Sequence, residues 1–239
     1  ELLRCPACGG ELNDEADGLL CAGCGRSYAR HEGAPVLLLS PAAEQAPPGL
    51  AGRALASVVA RPAVYDLVQR LAGIETIFRR VRPTLAGSAG ALVLDVGAGT
   101  GIVEPQLPSS ARYVWLDSDP QKLQGFRTKS QAPALLADAT RIPLRDASVD
   151  WALSTAVSHH LDDAQLAQML DEIRRVSKRV FFLDAVLSPR RTSRLLWRYD
   201  RGRYPRQASV LRRELASRFH LLEDEEFTVH HTYLLVTGE

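Results

Sequence analysis

The spacing of hydrophobic positions changes along the chain. From residue 91 onward, short apolar runs recur at 91–96, 112–117, 133–137, 149–154 and 179–184, and each reads as a strand. The stretches between them carry apolar residues at helical spacing, most regularly at 162–177. Strand and helix in alternation predict a parallel, doubly wound α/β sheet. Beyond 184 the pattern predicts two helices, at about 191–200 and 207–218, then two strands, at about 220–227 and 229–237. Upstream, 54–86 sets Leu55, Val58, Val59, Val64, Leu67, Val68 and Leu71 at helical spacing. Residues 40–53, SPAAEQAPPGLAGR, are rich in Pro, Ala and Gly and read as a linker. The organisation expected is therefore a small unit at 1–39, a linker at 40–53 and an α/β domain at 54–239. No apolar run approaches the ~18 residues a membrane-spanning helix needs.

The first unit holds every cysteine in the chain, as Cys5-x2-Cys8-x12-Cys21-x2-Cys24. Two C-x2-C knuckles facing each other give a tetrahedral set of four sulfurs suited to zinc. Pro6, Gly9 and Gly10 shape the first knuckle, Gly23 and Gly25 the second, and Pro35–Leu39 reads as a closing strand. A unit of this size buries too little apolar surface to fold unaided, so a structural Zn2+ is expected. Two disulfides are the competing reading. No apolar stretch near the start resembles a secretory leader, which favours zinc and a cytoplasmic setting.

The candidate chemistry of the α/β domain lies at predicted strand ends. Gly97, Gly99 and Gly101 follow the first strand directly, in DVGAGTG, and glycines there let the backbone turn tightly against a ligand. Asp117 ends the second strand, where a carboxylate can accept hydrogen bonds from ribose hydroxyls. Asp138 ends the third, within one crevice. His159 and His160 follow the fourth strand and Asp184 ends the fifth. Neighbouring strands bring a histidine and a carboxylate together as a His–Asp pair, in which the histidine could act as a base. Asp184 binding substrate directly is one alternative; histidines that only pack the loop and cap the next helix are another.

Taken together, LDVGAGTG, LDSDP, ADATRIPL and SVDWALSTAVSHHLDD resemble the class I S-adenosylmethionine-dependent methyltransferases of small-molecule type, over roughly 60–239. The resemblance implies a Rossmann-like, seven-stranded methyltransferase sheet. It implies that Asp95, Gly97, Ala98, Gly99 and Gly101 hold the methionine portion of S-adenosyl-L-methionine, with Asp117 and Ser118 at the ribose and Asp138 and Ala139 at the adenine. Thr155 joins that cofactor set. His160 or His159 would be the base and Asp184 its partner. Residues 2–39 resemble the zinc-ribbon proteins that activate tRNA, rRNA and release-factor methyltransferases, and the ribbon fused in front of some bacterial methyltransferases. Two features depart from the family: RRVSKRVFFLD lacks the Pro-Gly-Gly turn before the fifth strand, and Pro105 and Pro108 interrupt the first crossover helix.

Charge alters this picture locally rather than globally. The 239 residues carry 29 Lys+Arg and 28 Asp+Glu, which excludes a uniformly basic polymer binder. Yet 13 arginines and Lys178 lie between Arg174 and Arg218, against only Asp184, Asp200 and Glu214. Arginine suits phosphate and carboxylate. The segment is therefore expected to cover the site, with Trp197, Tyr199 and Arg201 meeting a small, anionic acceptor such as a sugar or lipid-linked hydroxyl. Tyr65, with Gln69 one turn on, could close over the cofactor. A solvated arginine-rich face is the plain alternative. RNA methylation and a non-catalytic binding partner are the other functional readings. Against RNA, residues 1–39 hold three arginines and six acids. The sequence leaves acceptor and oligomeric state open.

Overall fold

The computed structural model describes residues 2–40, 74–190, 193, 197 and 202–239. Four short strands form the N-terminal unit: β1 (Leu12–Glu15), β2 (Gly18–Cys21), β3 (Ser27–His31) and β4 (Ala34–Leu37). The α/β domain follows with α1 (Ile74–Leu85), β5 (Leu92–Val96), β6 (Arg112–Asp117), α2 (Pro120–Arg127), β7 (Ala134–Ala137), β8 (Val149–Thr155), α3 (Asp163–Val176), β9 (Ser177–Val186), α4 (Ala208–Ala216), β10 (Leu221–Thr228) and β11 (Thr232–Gly238). The helical positions read at 55–71 lie outside the described residues. Of the helix expected at 191–200, Ser193 and Trp197 are described, and both are helical.

All eleven strands join in the order β1-β2-β3-β4-β7-β6-β5-β8-β9-β11-β10. From β7 through β9 the neighbours run parallel, and β11 enters antiparallel between β9 and β10. The seven strands β5–β11 make the expected Rossmann-like sheet. The ribbon is continuous with it: β4 pairs parallel with β7, Val36 opposite Leu136 and Leu37 opposite Ala137. β5 and β7 are buried along almost their whole length, the pattern of strands covered on both faces. β10, LLEDEEFT, is mostly exposed and lies at the edge.

The helices form because their apolar stripes meet these faces. α3 begins at a capping box in which Asp162 accepts from Gln165 N and the Gln165 side chain accepts from Asp162 N. Its buried Leu166, Met169, Leu170, Ile173 and Val176 pack on one face of the sheet with Leu211 and Leu215 of α4. Cys5, Leu19, Cys21 and Tyr28 of the ribbon belong to that same core. On the other face, Ile77, Phe78, Val81 and Leu85 of α1 cover Val93, Leu153 and Phe181. Between β5 and β6 the crossover shrinks to a single 3₁₀ turn, Glu104–Gln106, with Pro105 inside it.

Candidate active site

β5 pairs with β6 on one side and β8 on the other, so the chain leaves it in opposite directions. That reversal opens a crevice at the carboxyl ends of the strands. The glycine loop lies there, and β6 fixes its shape. Gly97 N and Ala98 N donate to Leu116 O at 2.8 and 3.0 Å, and Trp115 Nε1 donates to Gly99 O at 2.8 Å. Gly97 has φ +71°, and a Cβ there would lie 2.5 Å from Val157 Cγ2. Gly99 has φ +55° and no atom within 4 Å of the corresponding position, so its backbone borders open space. Gly101 packs against the Phe126 ring.

Two acids, Asp95 and Asp117, stand at this loop, and Asp138 follows the next strand over. Asp117 Oδ2 accepts from Gly99 N at 2.8 Å and Oδ1 from Asp119 N at 3.0 Å. Each oxygen keeps a further lone pair for a hydroxyl. Asp95 is buried and accepts from Tyr113 Oη at 2.6 Å. Burial, with Asp117 and Glu104 nearby, pushes its carboxyl up to about 7, against the pull of the Tyr113 hydrogen bond. Burial also raises Asp117, against the hydrogen bonds from Asp119 and Gly99. A crevice of crowded carboxylates suits a cationic ligand, which relieves their repulsion. Asp138 is exposed just beyond β7 and accepts from Thr140 N and Oγ1, both at 2.8 Å. Ser118 and Ala139 are half-buried beside these acids in sequence. At the end of β8, Ser154 Oγ and Thr155 Oγ1 are buried without a hydrogen-bond partner. Open space at Gly99, a cation-suited acid set and two unmatched hydroxyls fit S-adenosylmethionine.

The acids and histidines of β8 and β9 meet on the same edge. His159 Nδ1 lies 2.6 Å from Asp184 Oδ1, with the residues 6% and 1% exposed. Asp184 Oδ2 accepts from Ser158 N and Ser158 Oγ, both at 2.7 Å, and Oδ1 accepts from Ala185 N. Burial alone would raise the Asp184 carboxyl; the His159 imidazole and the Ser158 donors outweigh it and hold it below the ordinary carboxylate range. An ionised Asp184 favours a proton on His159 Nδ1, the ring nitrogen that faces it. The His160 ring lies tilted beside that of His159, centroids 4.3 Å apart, and Trp197 meets His159 edge-on at 5.6 Å. Tyr65, Tyr199 and Arg201 lie outside the described residues.

Two features escaped the sequence reading. The β10–β11 turn brings His231 to 5.0 Å from Trp197, and His230 Nε2 lies 2.7 Å from Tyr233 Oη. The signal was the HH pair before the last strand, which the antiparallel return carries to the ligand edge. The second concerns the arginine-rich segment. Arg206 is buried, Arg212 pairs with Asp224 and Glu226, Arg218 with Asp171 and Glu214, and Arg175 with Glu172 and Asp146. Among the described residues, these four arginines are engaged by the protein's own carboxylates and carbonyls.

Residues 94–180 match the family described as methyltransferase domain. No curated protein matches the chain. Among solved structures, the chain is similar to one in the complex between the Haloferax volcanii Trm112 methyltransferase activator and a methyltransferase, with a TM-score of 0.55 and 20% identity over 63% of this chain and 83% of that one. It is similar to a SAM dependent methyltransferase from Aquifex aeolicus, with a TM-score of 0.53 and 18% identity over 68% and 89%. It is also similar to the magnesium protoporphyrin IX methyltransferase ChlM from Synechocystis PCC 6803 with bound SAH, with a TM-score of 0.59 and 14% identity over 78% and 98%. These likenesses show the fold, and the family match spans the stretch from β5 into β9.

The ribbon cysteines also converge. Their four sulfurs lie within 4.8 Å of one another, Cys5 and Cys24 at 3.7 Å and Cys8 and Cys21 at 3.5 Å, and none is in a disulfide. Tetrahedral zinc with bonds of about 2.3 Å requires sulfurs about 3.8 Å apart, so the set fits. Tyr28 Oη lies 3.0 Å from Cys5 Sγ.

Proposed function

We propose that this protein is an S-adenosylmethionine-dependent methyltransferase that methylates a hydroxyl of a small molecule, with His159 as base. The observation that carries the reading is the buried His159–Asp184 pair, set at the carboxyl edge beside the glycine loop. When bound, S-adenosylmethionine supplies a methyl on a sulfonium, an already good leaving group. The chain's residues do the rest. The backbone at Gly97, Ala98, Gly99 and Gly101 and the Asp95 carboxylate hold the methionine end, Asp117 with Ser118 the ribose, Asp138 and Ala139 the adenine, and Thr155 lines the cofactor. His159 Nε2 takes the acceptor's hydroxyl proton while Asp184 balances the imidazolium that forms. His160 and Trp197 flank the acceptor, with Tyr65, Tyr199 and Arg201 as further acceptor residues. Cys5, Cys8, Cys21 and Cys24 hold a structural Zn2+.

The competing polymer reading is weakened by the ion pairs of Arg175, Arg212 and Arg218, which take positive charge away from any RNA track. The deciding assay follows labelled methyl from S-adenosylmethionine into separate panels of phenols, sugar phosphates and total RNA. Transfer to a small hydroxyl, abolished in His159→Ala with cofactor affinity kept, supports the reading. Transfer to RNA alone, or an unimpaired His159→Ala, overturns it.

A further inference from the structure

His159 and His160 sit in a single 3₁₀ turn, Ser158–His160, followed directly by the cap of α3. A turn this short holds itself with few hydrogen bonds, so its geometry depends on its neighbours. From the sheet side Asp184 holds it through Ser158 N, Ser158 Oγ and His159 Nδ1. From the other side it is held by two residues of the arginine-rich segment. Tyr204 N donates to His159 O at 3.0 Å. Arg206, only 8% exposed, donates Nη1 to Ser158 O at 2.8 Å and Nη2 to Leu161 O at 2.7 Å. The guanidinium also donates to Tyr204 O, and through Nε and Nη2 to Asp163 Oδ1 at 3.0 and 2.7 Å. One planar side chain thus bridges the first carbonyl of the histidine turn, the carbonyl just after it and the first residue of α3. The Arg206 carbonyl meanwhile accepts from Leu187 N at 2.8 Å, next to the end of β9 that carries Asp184.

We infer that Arg206 is a positioning residue for the His159–Asp184 pair: its guanidinium fixes the turn so that His159 Nδ1 stays on the Asp184 carboxylate. The inference rests on the proposed role of His159 as base. It assigns Arg206 a place opposite to the one its setting in an arginine-rich run suggests, since its donors face the protein and not a ligand. Lysine cannot replace it fully, because an ammonium offers three donors at one point where the guanidinium spans five in a plane.

The test needs no acceptor. In protein with 15N-labelled histidine, the Nδ1–H of His159 bonded to Asp184 is followed by NMR and assigned by its loss in His159→Gln. Arg206→Ala is expected to abolish or broaden that resonance, and Arg206→Lys to retain it in part. S-Adenosylmethionine affinity by calorimetry stays within about twofold in both, because Arg206 bonds to none of the residues proposed to hold the cofactor. Once an acceptor is known, kcat falls about tenfold or more in Arg206→Ala with little change in the KM for S-adenosylmethionine. An Arg206→Ala protein that melts lower yet keeps the His159 resonance and kcat makes Arg206 a structural brace only and overturns the inference. Where Arg206→Ala does not fold, Arg206→Lys with a wild-type resonance and kcat overturns it equally. A failure of the base reading is separate: His159→Ala would then leave turnover intact while the resonance still responded to Arg206.

Discussion

Gly97 and Gly99 both have positive φ, but different neighbours make different demands of them. At Gly97 a methyl group would collide with Val157 at 2.5 Å, two residues before His159. At Gly99 it would enter open space. Gly99→Ala should therefore cost about 1 kcal/mol in thermal stability, the backbone penalty alone, and lower cofactor affinity. Gly97→Ala should cost about 2–4 kcal/mol, because side-chain overlap adds to it; equal melting losses would contradict the assignment. Asp95 sets a pH dependence. Its carboxyl is raised from 3.8 to about 7, so the folded state keeps a proton that the unfolded chain has lost. Stability contributed there falls as pH rises through that window. Binding a cation has the opposite sign, because it needs the ionised form. Cofactor affinity should rise about tenfold from pH 6 to pH 8 and level off above, and calorimetry on Asp95→Asn should give a flat profile. The glycine loop, Asp117 and the His–Asp pair were legible because each lies at a strand end, and strand ends follow from the apolar pattern. His230 and His231 were not, because their position depends on the return of β11 beside β9, a long-range pairing with no local signal.

Among the elements, α3 was the most legible, and its start shows why. Asp162 and Gln165 satisfy each other's backbone N–H groups, a pattern written in four consecutive residues. Asp162→Ala should lower stability by about 1 kcal/mol, read by denaturant titration, and a neutral result would deny the cap any role. β10 was legible despite its acids, because Leu221, Leu222 and Phe227 sit in a run that ends at a turn. Its charges have a physical use. An edge strand with exposed Glu223, Asp224 and Glu226 resists pairing with a second chain, and Arg212 holds two of them against α4. The arginine-rich segment was the least legible. Composition reports how many guanidiniums exist, not which way they face, and apart from the short-range contacts of Arg218 with Glu214 and Ser217, the side-chain partners of Arg206, Arg212 and Arg218 lie 12 to 47 residues away.

Across the whole molecule, the ribbon and the α/β domain share one sheet and one core. β4 covers the edge that β7 would otherwise present, and β1, also acidic in Asn13–Glu15, becomes the new outer strand. The loop after β7 is held as well: Arg4 N donates to Pro143 O and Arg145 N to Leu2 O, each at 2.9 Å. Cysteine spacing made the cluster of four sulfurs legible, but nothing in it told that the closing strand would continue into the main sheet. The coupling has a measurable consequence. If the four sulfurs hold zinc, removing it with a chelator releases the two knuckles and leaves β4 with little to keep it on β7. Hydrogen exchange should then rise first at β4 and β7, while β8 and β9, enclosed by strands on both sides, keep their protection. The melting temperature should fall, and added zinc should restore both. Cys21→Ser should reproduce the chelated state, since that sulfur belongs to the cluster and its residue to the core. A chelated protein with unchanged exchange at β7 and an unchanged melting temperature would show that the ribbon folds without metal and that its union with the sheet is carried by apolar packing alone.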